Sequence, residues 1–205
     1  VREKWQILLD RFELNNDQSG TAVYSIKTPS NEFNFIAFSF PPKKEGRTGR
    51  IISQVWDMRC ALEEGRATEE SIETARSELP KLYRGRASKN TLIWGRANRS
   101  FRVFDSVLES LIKGQQPKIS DLNSVCYLMR NTGLDGNGTF GTKSFFSLGS
   151  EHPLGNVLEA DFLTAYMMRE FSFDLIERLA KMKSTKSTIL SPEVRRYIGV
   201  GNGSG

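Results

Sequence analysis

The sequence predicts an α+β fold, with an N-terminal antiparallel sheet (a hairpin plus a third strand) packed against several C-terminal helices. Three observations predict it. Apolar residues alternate with period two between about Thr21 and Cys60, and they recur at helical spacing after Thr68. The two patterns follow one another along the chain rather than interleaving, which a doubly wound parallel sheet would require. A length of 205 residues suits one core. The expectation is one domain over 1–205, strand-rich over 15–62 and helical over 66–199.

Trp5, Leu8, Leu9 and Phe12 fall at i, i+3, i+4 and i+7, which predicts an amphipathic helix over about 3–13. Ala22, Tyr24 and Ile26 alternate in the next stretch, Thr28-Pro29-Ser30-Asn31 is turn chemistry, and Phe33 to Phe40 returns as the second arm of a hairpin. Phe33, Phe35 and Ala37 lie on one face of that arm and Ile36, Phe38 and Phe40 on the other, so it reads as a central strand covered on both sides. A third strand from about Arg50 places Ile52, Trp56, Met58 and Cys60 on its buried face.

Thr68 suits an N-cap, and Glu69 and Glu70 suit the first turn, where the helix dipole favours carboxylates. Ile72, Ala75 and Leu79 form the apolar stripe of that helix, and Pro80 ends it. Ile93, Ala97, Phe101, Phe104, Leu108, Leu111 and Ile112 predict a second helix closed by Gly114. Ser120 caps a shorter one through Leu122, Val125, Cys126 and Met129. A glycine-rich loop over 132–150, a long helix over 157–183 and a short helix opened by Ser191-Pro192-Glu193 complete the chain.

A hydrophobic fraction of 38% and a charged fraction of 26% are those of a folded globular protein, not a disordered one. No apolar run reaches the roughly 18 residues that a membrane-spanning helix needs, so no membrane partner is expected. The N-terminus carries no secretory pattern, and two cysteines cannot staple a domain of this size, so the expectation is cytoplasmic. A net charge of +5 attracts anions, phosphates among them. The valine start and the glycine-rich finish lead us to expect a fragment of a longer chain.

Gly136-Asn137-Gly138-Thr139-Phe140-Gly141 matches G-x-G-x-x-G. That pattern holds a pyrophosphate only between a strand and a helix, and here a helix is expected before it and none directly after. Read instead as a calcium loop from Asp135, the segment has Phe140 where glycine is needed and Phe146 where a bidentate glutamate is needed, so calcium is rejected. One histidine, His152, excludes multi-histidine metal sites, and no metal or cofactor is predicted. Cys60 and Cys126 lie on apolar faces and read as core. Glu63-Glu64 and Glu69-Glu70 read as loop and helix-start residues.

Arginines are the remaining signal. Arg96, Arg99 and Arg102 accompany the second helix, Arg130 precedes the glycine loop, and Arg169 sits in the long helix. A buried guanidinium needs a partner, and for Arg130 and Arg169 that partner is an internal carboxylate such as Glu170 or Asp161, or an anion from outside. Four glycines between Asn131 and Gly141 let backbone N–H groups converge beside Arg130. The candidate ligand-binding residues are therefore Arg130, Arg99, Gly136, Asn137, Gly138 and Gly141.

The pieces Tyr127-Leu128-Met129-Arg130, Gly136 to Gly141, Arg96-Ala97-Asn98-Arg99-Ser100 and Gly199-Val200-Gly201-Asn202-Gly203 resemble a segment of long bacterial proteins with no assigned activity. The resemblance covers about a quarter of the chain and implies a chain continuing past the last glycines. It implies no function. From the residues themselves, the expected function is a domain binding a small phosphate- or carboxylate-bearing anion. The alternatives are a nucleic-acid-binding module using the basic stretch Lys43 to Arg50 and the cluster Arg84, Arg86 and Lys89, or an assembly domain without ligand.

Overall fold

A computed structural model of the chain describes residues 5–43, 56–78, 90–122, 127–136, 154 and 157–202. Within them, β1 (Gln6–Leu14), β2 (Gly20–Lys27), β3 (Glu32–Ser39), β4 (Met58–Glu64), β5 (Thr91–Arg99), β6 (Tyr127–Gly136) and β7 (Gly199–Asn202) form one sheet in sequence order. Neighbours from β1 to β6 are antiparallel, and β7 runs parallel to β6. The helices are α1 (Glu69–Glu78), α2 (Phe101–Ile112), α3 (Ile119–Leu122), α4 (Val157–Lys183) and α5 (Pro192–Tyr197). The fold is α+β.

Helices α2 and α4 cover one face of the sheet, with α4 touching β3 to β7. Tyr24, Phe33, Phe35, Met58, Leu62, Ile93 and Ala97 meet Phe104, Leu111, Met167, Phe171 and Ile176 there, all with under 3% of their surface exposed. Each large side chain in that layer contributes roughly 1.5–3 kcal/mol by leaving water. The buried hydroxyls of α4 are satisfied within it: Thr164 Oγ1 donates to the Ala160 carbonyl and Ser172 Oγ to that of Arg169. On the opposite face the shorter α1 sets Ile72 and Ala75 against Val23, Ile36, Phe38, Ala61 and Trp94. Strand β3 is buried on both faces, as its sequence predicts.

Local signals held at several boundaries. Thr68 Oγ1 accepts the Ser71 N–H while Ser71 Oγ accepts the Thr68 N–H, a reciprocal cap that starts α1. Ser191 Oγ accepts the Val194 N–H and Pro192 opens α5. Gly114 takes φ +73° after α2, and α4 spans the expected residues.

Four expectations are corrected. Residues 6–14 are strand β1, not part of a helix. A bulge between Leu9 and Arg11 inserts one residue, so Trp5, Ile7 and Leu9 share a face with Phe12 and Leu14. The resulting three-residue gap from Leu9 to Phe12 imitates a helical step, while Leu8 is 54% exposed. The predicted helix over 93–112 is two elements. Ile93 and Ala97 belong to β5, because a spacing of four residues is even and keeps one face of a strand as well as of a helix.

Residues 127–129, assigned to the end of a helix, and 132–136, assigned to a loop, are both strand β6. Finally, the sheet does not stop near Cys60. It continues through β5, β6 and β7, and the β6–β7 pair is parallel, because β7 arrives after the long α4 crossover instead of a tight turn. Residues 50–55 of the expected third strand and most of the glycine loop lie outside the described residues.

Candidate functional site

The sheet face carrying α1 gathers arginines where β4, β5 and β6 run side by side. Arg59 lies between the core residues Met58 and Cys60, so alternation turns it to the opposite face. Its direct cross-strand partner is Arg96. Asn98, two residues along β5 and so on the same face, is opposite Arg130 of β6. Like charges directly opposed in a sheet are destabilising, and aromatic rings offset that cost here. The Arg96 Cζ is 4.3 Å from the Trp56 ring centroid and 6.0 Å from that of Trp94. The Arg59 Cζ is 4.7 Å from the Phe40 ring and 5.6 Å from the Trp56 ring. Each such contact is worth about 0.5–2 kcal/mol, depending on desolvation.

Arginine side chains so held have already lost rotamer freedom, which a ligand need not then remove. Trp94 and Asn98 are buried, and Trp56, Arg59, Arg96 and Arg130 are half-buried. Trp56 Nε1 is buried beside the guanidinia without a hydrogen-bond acceptor among the described residues. Gly133, opposite Arg96, leaves room for the guanidinium to lie against β6.

Arg99 lies elsewhere. It is one residue from Asn98, so its side chain turns to the helix-covered face, with Cζ 5.0 Å from the Phe104 ring and a hydrogen bond to Gln18 Oε1 at 2.8 Å. Its backbone N–H donates to the buried Asp57 Oδ2 at 2.7 Å. The Asp57 N–H in turn donates to Asn98 Oδ1 at 3.2 Å, and its carbonyl accepts the Phe40 N–H at 2.8 Å. Asp57 thus ties the approach to β4 to both β3 and β5.

The structure separates the residues grouped by sequence. Arg99 and Arg130 occupy opposite faces of the sheet, and Gly136 is the last residue of β6, six positions beyond Arg130. At a rise of about 3.3 Å per residue, that is roughly 20 Å away. Asn137, Gly138 and Gly141 lie outside the described residues. Arg169 has the internal partner anticipated for it: its NH2 is 3.0 Å from Glu170 Oε1, and its Cζ packs over Tyr166 and Phe173. Arg59 and Trp56 were missed as site residues. The one available signal was an arginine interrupting the apolar alternation of β4, which marks a side chain on the other face.

Other clusters have different chemistry. Tyr24 donates a 2.7 Å hydrogen bond to Asp174 Oδ2 under α4, and burial pushes both the phenol and the carboxyl above their usual ranges. A groove of about 510 Å³ beside it is lined by Asp174, Glu177, Arg178 and Lys181 among others. A cleft of about 410 Å³ between β1, β2 and the start of α1 holds Asp10, Glu32 and Glu69 as well as Arg11, Lys27 and Arg66, with Arg11 paired to Glu69 and Arg66 to Glu32. Mixed charge in both favours no ionic class. Cys60 is fully buried, and burial pushes its thiol up, away from the reactive thiolate.

Among the described residues no group of three or more acidic, cysteine or histidine side chains could hold a metal ion, and no helix is long and apolar enough to cross a membrane. His152, Cys126, most of the Lys43 to Arg50 stretch, and Arg84, Arg86 and Lys89 lie outside the described residues. The phenylalanines of β3 are buried, so that strand offers no stacking surface to bases. No protein-family model, curated protein or solved structure matches this chain.

Proposed function

We propose that this chain is a binding domain for a phosphate- or carboxylate-bearing anion, held by Arg59, Arg96 and Arg130. One observation carries the reading: Arg59 and Arg96 are directly opposed across β4 and β5, with both guanidinia on the Trp56 ring. That arrangement concentrates positive charge at a cost to the sheet, and it presents rigid forks whose geometry fits carboxylate and phosphate oxygens. Arg130 is the one sequence candidate included in this site, and Arg99, whose side chain packs on Phe104 on the opposite face, is not part of it.

The test is the melting temperature in orthophosphate and in a dicarboxylate, because a ligand that binds only the folded state stabilises it by mass action. Arg96→Gln is expected to remove the shift. Melting temperatures unmoved by any anion in the parent protein would defeat the reading.

A further inference from the structure

Strand β1 is a nine-residue edge: among the described residues it pairs with β2 alone, and its Leu8 and Leu9 are 54% and 37% exposed. An edge of this kind offers a row of N–H and C=O groups to another strand, and natural sheets blunt such edges with bulges and charged side chains. Both devices are present in β1, and together they are self-complementary. The bulge at Asp10 shifts the alternation by one residue, so Ile7, Leu9, Phe12 and Leu14 all point to the face of the main core. Leu8, Asp10 and Arg11 point to the α1 face, where Asp10 accepts the Ser25 hydroxyl and Arg11 pairs with Glu69 at 2.7 Å. Two copies of a strand paired about a two-fold axis must oppose side chains of the same face. In an unbroken strand that restricts partners to residues an even number of positions apart, whereas across this bulge the separation is odd. One register then matches the faces along the whole strand. It opposes Leu9 to Phe12, Ile7 to Leu14, Leu8 to Glu13 and Asp10 to Arg11 of the other copy.

We infer that two copies of this chain associate through β1, antiparallel about a two-fold axis at the bulge, into one continuous sheet. Opposite charges then meet twice on the α1 face, Asp10 of each copy against Arg11 of the other. On the opposite face Leu9 covers Phe12, whose ring stacks on Phe171 of α4 at 5.7 Å, so the apolar layer continues from one copy into the next. Charge complementarity selects a second copy over a foreign strand, because the edge carries its own match. The Arg11–Glu13 contact within one strand competes weakly, since it is 3.6 Å long and exposed pairs contribute little. The contact is isologous, uses the β1 edge of both copies and so closes at two. It leaves β4, β5 and β6 untouched and stands independently of the anion-binding reading.

Sedimentation velocity of the whole chain over a range of concentrations is expected to show a monomer–dimer equilibrium. Asp10→Arg opposes arginines twice and is expected to weaken it at least about tenfold. Arg11→Asp is expected to do the same by opposing aspartates. An equimolar mixture of the two variants restores both opposite-charge pairs and is expected to recover association as a heterodimer. Circular dichroism checks that each variant folds. Because Arg11→Asp also removes the pair with Glu69, a cross-link tests the register without it. Directly opposed residues have Cβ atoms about 4.5–5.5 Å apart, near the reach of a disulfide. The double variant Leu8→Cys, Glu13→Cys is therefore expected to give a covalent dimer on mild oxidation, and Leu8→Cys alone is not. A chain that stays monomeric at every concentration would overturn the inference, the bulge and charges then serving to blunt the edge. Parent-like association of Asp10→Arg, a mixture of folded variants no tighter than its components, or equal cross-linking by Leu8→Cys alone would overturn it as well.

Discussion

Gly133 of β6 faces Arg96 of β5 so closely that a Cβ at position 133 would meet Arg96 Nε at 3.0 Å and Cζ at 3.4 Å. The missing side chain lets the guanidinium lie along the neighbouring strand, where it also reaches the Trp56 ring. A glycine in a strand weakens it by entropy, so this one trades local stability for the placement of a charge.

Gly133→Ala is expected to displace the Arg96 guanidinium while the protein stays folded, because the crowded atoms belong to the end of a flexible side chain. The backbone gain from alanine, about 0.4–1 kcal/mol, offsets the strain, leaving the apo melting temperature within a few degrees of the parent. Tryptophan fluorescence is expected to change, and the phosphate-induced shift to fall. A variant whose anion response equals the parent's would separate Gly133 from the site.

Glu63 of β4 is 4% exposed, and burial raises its carboxyl above the usual range, opposed by hydrogen bonds from Thr91 Oγ1 and Asn34. Folding therefore favours the neutral acid. The stability it contributes is fully present below the unfolded carboxyl pKa of about 4.3 and is lost as pH rises through the raised folded value. Glu63→Gln keeps the shape and removes the ionisation. It is expected to raise the melting temperature at pH 7 by a few degrees, roughly the effect of 1 kcal/mol in a chain of this length, and to flatten the fall in stability as pH rises above the unfolded carboxyl pKa. Identical slopes for parent and variant would contradict this assignment.

Tyr24 and Asp174 join β2 to α4 across the main core, and the Tyr24 hydroxyl is among the groups that hold the Asp174 carboxyl down against burial. Tyr24→Phe is expected to cost about 1.5–3 kcal/mol at neutral pH, the range for a hydrogen bond to a charged group. Its effect on pH dependence has a definite sign. Without the hydroxyl the Asp174 pKa rises further, so stability falls more steeply as pH increases through it. Adding Asp174→Asn is expected to recover part of the loss, measured by urea unfolding of the single and double variants. Strictly additive losses would show that the two residues act separately.

Several elements were legible along the chain because the physics that forms them is local. The hairpin turn at Thr28 to Asn31, the reciprocal cap of Thr68 and Ser71, the positive φ of Gly114 and the Ser191-Pro192 helix start each depend on residues within four positions of one another. Strand β3 was legible for a related reason: both its faces are apolar, and only a covered strand tolerates that.

Strands β1, β5, β6 and β7 were not legible, because each owes its identity to a neighbour supplied by another part of the chain. A bulge opposite Val23 and Tyr24 gave β1 its helix-like spacing, β5 kept apolar residues four apart, and the glycines of β7 become a strand only alongside β6. The candidate site divides the same way. Sequence supplied the arginines and the excess of positive charge, and it placed Arg130 among the candidates. Which face each arginine occupies is set by strand alternation and pairing. That tertiary register sent Arg99 to Phe104, brought Arg59 against Arg96 from 37 residues away, and placed Trp56 against both, since a cross-strand contact is a property of two strands and neither carries it alone.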